Sequence, residues 1–341
     1  MKAVVKAVAG PGFTVAEVAG SEPGDGEVLL RVDAASVCGS DVHLYDWNPW
    51  AAQRVHPPRV MGHEISGTVI GHGPGVDGPA IGTRVAVESH IICGRCPECM
   101  RGDFHVCANT LILGVDVDGG FAESVSLPAR NCWPIPDSVS AEVAAAMEPF
   151  GNAVHACSYG DLSGATVAVF GCGPIGCAAI AVARAEGAVQ VIALDRNPYR
   201  LDLAERMGAT AVLNAGDGDV EAAIRRVAGG DVDCALEMSG AGAAVVAATH
   251  VVRPGGWISL LGLGDDPVTM DLASDVIIRG LSLFGIIGRR QFETWEKTTA
   301  YIEAGTVDVA ALITHHLSID EIDAAMQLMK SGQCGKVSLA A

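Results

Sequence analysis

The sequence predicts an α/β chain: a doubly wound parallel sheet joined to a mostly β domain that carries a metal-binding lobe. Three observations predict it. From Ala165 onward apolar strands alternate with Ala-rich helical stretches, the first 150 residues break into short strand-like runs between Gly and Pro turns, and four cysteines fall in the run CGRCPECMRGDFHVC.

At 341 residues the chain is long enough for two domains, each with its own core. Twenty-two basic against 40 acidic residues give a formal net charge of −18, which argues against binding nucleic acid through its phosphates. The opening MKAVVKAVAGPGF is interrupted by Gly10 and Pro11 before a long apolar stretch develops, so neither an export signal nor a membrane anchor is expected, and the expected compartment is the cytoplasm. We expect a domain over residues 1–150, a nucleotide-binding domain over 151–290, and a return to the first domain over 291–341.

In the first domain, EVLLRVDA and GTRVAVES read as strands. Cys93, Cys96, Cys99 and Cys107 then have zinc-ligand spacing, since paired C-x-x-C turns let two thiolates reach one ion without stretching the backbone. Two disulfides are the competing reading. The other seven cysteines, Cys38, Cys132, Cys157, Cys172, Cys177, Cys234 and Cys334, show no pairing rhythm, which suits a reducing compartment. Four thiolates close the coordination sphere, so this zinc is expected to be structural.

The second domain opens with the strand TVAVF, followed by Gly171, Gly173 and Gly176 in G-x-G-x-x-G and then an uncharged helical stretch. Nineteen residues past Gly176 the strand VQVIALD ends in Asp195, where a carboxylate can accept hydrogen bonds from a ribose. Strand, glycines, helix and acid together describe a Rossmann-type dinucleotide site, with the pyrophosphate on the helix N-terminus. A structural turn without ligand is the alternative. Asp195 favours NAD over NADP, with Arg196 and Arg200 close enough to complicate that preference. VDCALEMSG, GWISLLGLG and LSLFGIIG continue the sheet. QFETWEKTTAYIEAG and DEIDAAMQLMKSG read as helices, and GKVSLAA as a returning strand.

A closed structural zinc leaves metal chemistry to other ligands. Cys38 in CGSDVH, with His63 and Glu64 in GHE, supplies a thiolate, an imidazole and a carboxylate, the mixed set of zinc sites that keep an exchangeable position. Taken singly, Cys38 reads equally well as a small buried hydrophobe and His63 as a core histidine.

CGSD at 38–41, GHE at 62–64, the four-cysteine lobe and the later G-x-G-x-x-G together resemble the zinc-dependent medium-chain alcohol dehydrogenases over essentially the full chain. CGSDVHLYDWNPW, ESHIICGRCPECMRGDFHVCANT, EPFGNAVHA, DRNPYRLDLAERMGA, GRRQFETWEK and SGQCGKV are similar to the branch of that family that oxidises L-threonine. The resemblance implies a GroES-like catalytic domain beside the Rossmann domain, two zinc ions per chain, NAD, and a homotetramer. Cys38, His63 and Glu64 match catalytic-zinc ligands, and Cys93, Cys96, Cys99 and Cys107 match structural ones. Glu148 matches an acid near the metal, and Ser40 and His43 match a proton relay. Ile175, Asp195, Arg200, Gly262, Leu263, Gly264, Ile286 and Ile287 match NAD contacts.

His90, just before the lobe, is a candidate for the substrate side, with a surface imidazole as the alternative. Four positions depart from the threonine pattern. Ser40 stands for threonine, Ile287 for an aromatic residue, Ser124 for tyrosine and Asp116 for asparagine, with consequences expected in the substrate pocket. The rivals are a polyol, secondary-alcohol or other 3-hydroxy amino acid dehydrogenase on the same architecture and a non-catalytic nucleotide-binding protein.

Overall fold

The computed structural model describes residues 1–264 and 266–340. The chain divides into two compact units, Met1–Pro149 with Ile313–Ala341, and Phe150–Leu312.

The first unit is mostly β. Its strands are β1 (Lys2–Lys6), β2 (Thr14–Glu17), β3 (Glu27–Ser36), β4 (Arg59–Val60), β5 (Glu64–His72), β6 (Arg84–Val87), β7 (His90–Ile91), β8 (Leu111–Ile112), β9 (Ser124–Pro128) and β10 (Cys132–Pro134). Helices α1 (Gly39–Asp46), α2 (Pro49–Arg54) and α3 (Pro97–Arg101) interrupt them, and α4 (Ala141–Ala156) starts in this unit and ends in the second. Strand β3 pairs antiparallel with both β5 and β9, and β5 continues to β6 and β10. Apolar side chains of β3 and β5, among them Val28, Leu30 and Ile65, meet Val85, Leu113 and Phe121 in one core. Pairing runs from Ser36 opposite Glu64 to Val28 opposite His72, so the end of β3 lies against the start of β5. That register brings Cys38 and His63, just beyond the two strand ends, to one place.

The second unit is a six-stranded parallel sheet. Its strands are β11 (Thr166–Phe170), β12 (Gln190–Asp195), β13 (Ala211–Asn214), β14 (Val232–Glu237), β15 (Val252–Leu260) and β16 (Ser282–Gly285). They run β13-β12-β11-β14-β15-β16, so the order reverses between β11 and β14, where a parallel sheet opens its ligand crevice. The connecting helices are α5 (Pro174–Ala185), α6 (Pro198–Arg206), α7 (Val220–Ala228) and α8 (Gly242–Val251). Near-continuous burial of β11, β12 and β14 is what the apolar runs predict for strands covered on both faces.

The helix α9 (Glu293–Glu303) belongs to this second unit, so the chain returns to the first at Ile313, later than the expected residue 291. Trp295 is fully buried, and the Tyr301 hydroxyl donates to Glu186 at the end of α5. The Tyr301 contact ties α9 to the end of α5. The last elements are β17 (Ile313–Ser318), α10 (Ile322–Ser331) and β18 (Lys336–Ala340). Strand β18 pairs parallel with β17 and antiparallel with β3, placing Leu339 opposite Ala35 and Ser338 opposite Ser36. Among the described residues no helix is long and apolar enough to cross a membrane.

Candidate metal and dinucleotide sites

The four lobe thiols come together around one point. Cys96 is the N-cap of α3, its sulfur accepting the Cys99 amide, and positive φ at Gly94 turns the chain between the first two cysteines. Ligand atoms of Cys93, Cys96, Cys99 and Cys107 all lie within 4.8 Å of one another. The Cys107 sulfur is 3.7 Å from that of Cys93 and 3.9 Å from that of Cys96. A disulfide needs about 2.0 Å. The edge of a tetrahedron with Zn–S of about 2.3 Å is about 3.8 Å, so the spacing fits zinc and rules out the disulfide reading of these pairs.

The amides of Cys93 and Asn109 donate to the Cys107 sulfur. The amides of Arg95 and Cys96 pull the Cys93 thiol down to about 6, while burial beside the sulfurs of Cys96 and Cys107 pushes Cys99 up to about 12. Four thiolates cannot share this space without a cation, and a divalent ion supplies the missing charge.

Cys38, His63 and Glu64 form a second cluster, also within 4.8 Å. Cys38 is the N-cap of α1 in a capping box, where Asp41 reaches back with Oδ2 to accept the Cys38 amide at 2.9 Å. Asp41 is fully buried, and its Oδ1 lies 3.6 Å from Nδ1 of His63. Burial alone would lower the His63 pKa, but the Asp41 carboxylate and the Cys38 sulfur outweigh it and hold the imidazole at about 10. Nδ1 faces the Asp41 carboxylate, and a cation binding at Nε2 would displace the ring's second proton, leaving the tautomer that a metal-ligating histidine uses.

Glu64 is fully buried. One carboxylate oxygen, Oε2, accepts from Ser36 Oγ and Lys336 Nζ, and the other, Oε1, has no hydrogen-bond partner. An orphaned carboxylate oxygen beside a thiol and an imidazole is what a bound cation satisfies, so the residues fit zinc.

Ser40 Oγ lies 3.3 Å from Nε2 of His63. His43, one turn along α1, is exposed, with its Nδ1 3.3 Å from the Asn48 amide nitrogen. Glu148 on α4 is buried, and Ser89 Oγ donates to its carboxylate. Its charge raises both His63 and Lys336, which puts the acid near the cluster although outside the three-residue set. His90 is half buried on β7, opposite Ile112, with its amide donating to Glu88.

Sequence reasoning gave no role to Asp41, Lys336, Ser36 or Ser89. Asp41 was legible in principle as the fourth residue of CGSD. Lys336 was not, because 272 residues separate it from Glu64.

In the second unit the glycine motif closes on itself. Gly171 has φ +91°, and a Cβ on Gly176 would sit 1.9 Å from the Gly171 carbonyl oxygen, so both positions require glycine. Gly173 caps α5, Pro174 fills its first position, and Ile175 follows in the first turn. Asp195 ends β12 with Oδ2 accepting the Cys172 amide at 2.8 Å and Oδ1 accepting that of Asn197 at 2.9 Å. Arg200 is 3.9 Å from the same carboxylate.

At the end of β14, buried Glu237 accepts the amides of Ser239 and Gly240 and the Ser239 hydroxyl. This turn packs against Gly171 on one side and Gly262 on the other. Gly262, Leu263 and Gly264 follow β15, with Leu263 90% exposed. Ile286 is buried and Ile287 half exposed just after β16. The loops after β11, β14 and β15 therefore form one continuous rim at the switch point, the place for a dinucleotide.

Two of the four positions expected to depart from the threonine pattern have partners away from the metal cluster. Ser124 Oγ meets the Met1 sulfur, and Asp116 is held by Arg54.

Comparison with known proteins agrees with this geometry. Residues 24–137 match the alcohol dehydrogenase GroES-like domain and residues 174–304 the zinc-binding dehydrogenase domain. The chain is 44% identical over 340 residues to the L-threonine 3-dehydrogenase of Bacillus subtilis, covering 99% of this chain and 98% of that protein. It superposes with a TM-score of 0.92 on a short chain alcohol dehydrogenase from E. coli CFT073 complexed with NADH, at 29% identity and covering 100% and 99% of the two chains. A zinc-binding dehydrogenase of Sinorhizobium meliloti bound to NADP superposes equally well, with a TM-score of 0.92, 31% identity and coverage of 100% and 99%.

Proposed function

The chain belongs to the zinc-dependent medium-chain alcohol dehydrogenases, and from that premise we propose that it oxidises L-threonine to 2-amino-3-oxobutyrate with NAD as acceptor. The full-length likeness to an L-threonine 3-dehydrogenase carries this reading. The reaction takes a hydride from carbon 3 and a proton from its hydroxyl, giving NADH and H⁺. Zinc, when bound by Cys38, His63 and Glu64, supplies Lewis-acid polarisation of the hydroxyl, and NAD accepts the hydride.

The chain's own residues manage the proton and the charge. Ser40 Oγ, beside His63, takes the hydroxyl proton, and His43 on the same face of α1 hands it to solvent. Asp41 orients His63. Ser36 and Lys336 hold one oxygen of Glu64 and leave the other for the metal. Glu148 tunes that metal, since its charge already reaches His63 and Lys336. His90, next to the Ser89 that holds Glu148, serves on the substrate side.

On the cofactor side Gly171, Gly173, Ile175 and Gly176 receive the pyrophosphate, and Asp195 the adenosine ribose. Arg200, Gly262, Leu263, Gly264, Ile286 and Ile287 complete the contacts. NAD is preferred over NADP because the carboxylate of Asp195 repels a 2′-phosphate.

The form we propose is a cytoplasmic homotetramer. The apolar Leu272, Ile277 and Ile278, in the segment before β16, are 58%, 72% and 80% exposed, and eleven cysteines without a disulfide suit a reducing compartment.

Zinc analysis together with NADH absorbance on adding threonine tests the function. Two ions per chain and threonine-dependent NADH are expected. Faster turnover of sorbitol or butanediol would favour the polyol reading, and one ion with no reduction would favour a binding protein.

A further inference from the structure

Asp116 lies in the turn that follows β8. Arg54, the last residue of α2, grips it with two parallel hydrogen bonds, Nε to Oδ1 and Nη2 to Oδ2, each 2.8 Å. Oδ2 also accepts the Ile112 amide at 2.7 Å, and Arg54 reaches toward the Thr110 carbonyl. With Asp116 only 15% exposed and both oxygens engaged, this is not a loose surface ion pair of the kind that contributes little. Burial opposes ionisation of Asp116, but Arg54 and the Ile112 amide hold its carboxyl below the usual range.

The turn that Asp116 closes runs directly into the metal site. The amides of Val115 and Asp116 donate back to the Ile112 carbonyl, and Gly114 adopts φ +69°. Its Cα face rests on Gly62, where a Cβ would come within 2.6 Å of the Gly62 nitrogen. Gly119 presses on the same peptide, and Gly120 donates to the Gly62 carbonyl at 2.9 Å. Gly62 is thus clamped from this strap, and the next residue is His63. Leu113, in the same turn, donates to the carbonyl of Ser89, whose hydroxyl holds Glu148.

We propose that the Arg54–Asp116 pair is a positioning strut for the metal ligand His63, acting through the backbone contact of Gly114 on Gly62. Close-packed backbone has no slack to absorb a shift of the turn, so loosening the pair displaces the imidazole. Asp116 therefore acts on metal geometry, with Arg54 as its partner. The inference rests on the proposed catalytic role of Cys38, His63 and Glu64.

Cobalt(II) loading of the whole protein tests it without substrate. Asp116→Ala is expected to shift the thiolate-to-cobalt absorption of the Cys38 site and to weaken its cobalt affinity about tenfold, with the four-cysteine site unchanged. Asp116→Asn leaves the guanidinium without a charged partner, and adding Arg54→Gln is expected to bring band and affinity back toward the parent. An Asp116→Ala protein with lower thermal stability but an unmoved band and affinity overturns the proposal. So does a double variant no better than Asp116→Asn. If Asp116→Ala does not fold, Arg54→Met, which keeps the Ile112 cap, reads the same band, and an unshifted spectrum there is equally decisive. A parent protein that binds two cobalt ions but reduces no NAD with threonine would defeat the functional reading and leave the strut standing.

Discussion

Oδ1 of Asp41 faces Nδ1 of His63 at 3.6 Å, while Oδ2 of the same carboxylate accepts the Cys38 amide. One buried acid thus ties together two prospective ligands that lie 25 residues apart in sequence. Asp41→Asn keeps the shape but removes the charge that steadies the imidazole. Zinc affinity of this site is expected to fall about 10- to 100-fold, read by chelator competition. Unchanged affinity would mean that the carboxylate only caps α1.

Ser40 offers a sharper test of the proton path. Replacing it by alanine removes the hydroxyl beside His63 while leaving every proposed ligand in place. Turnover is expected to drop by about 10²- to 10⁴-fold with zinc content intact. A Ser40→Ala enzyme of normal rate would take the residue out of the relay.

The cysteine lobe should behave differently. Cys99→Ser breaks a closed four-thiolate site, so the expected loss is one metal ion and a lower melting temperature, with the other ion retained. Metal analysis and thermal denaturation measure both. A protein of normal stability but no activity would contradict a structural role.

Lys6 gives a pH signature. Its ammonium group is buried, donates to the carbonyls of Gly10 and Gly12 at 2.9 and 2.7 Å, and lies over the rings of Phe13 and Trp47. Burial lowers its pKa from 10.5 to about 8. Between those values the unfolded chain holds a proton that the folded chain has released, so this group makes stability rise with pH across the window; below pH 8 it adds no pH dependence. Lys6→Met should abolish that rise and, by orphaning the half-buried carbonyls of Gly10 and Gly12, cost about 2 kcal/mol at neutral pH. Denaturation curves of parent and variant from pH 7 upward would show it, and parallel curves would refute it.

The features legible in the sequence share a physical character. The lobe cysteines, the GHE pair and the glycine motif are local patterns, in which spacing along a few turns of chain already dictates which atoms can meet. The strand and helix alternation of the second unit was legible for the same reason, because burial on both faces of a parallel sheet leaves near-continuous apolar runs. The return of the chain was harder to place. Whether α9 joins one unit or the other depends on where Trp295 and Tyr301 find partners, and no periodicity encodes that.

The sequence by itself determined the chemistry available: two sets of prospective zinc ligands, a dinucleotide turn, and a strand-end acid. Only the tertiary structure decided how the charges are balanced. The Glu64 carboxylate meets Lys336 across 272 residues, Arg54 meets Asp116 across 62, and Ser89 meets Glu148 across 59. A buried charge must find a partner, but which partner is set by the pairing of β3 with β5 and β18 and by backbone contacts such as Gly114 on Gly62. Those long-range pairings arise only once the sheets have closed, and so no local spacing could announce them.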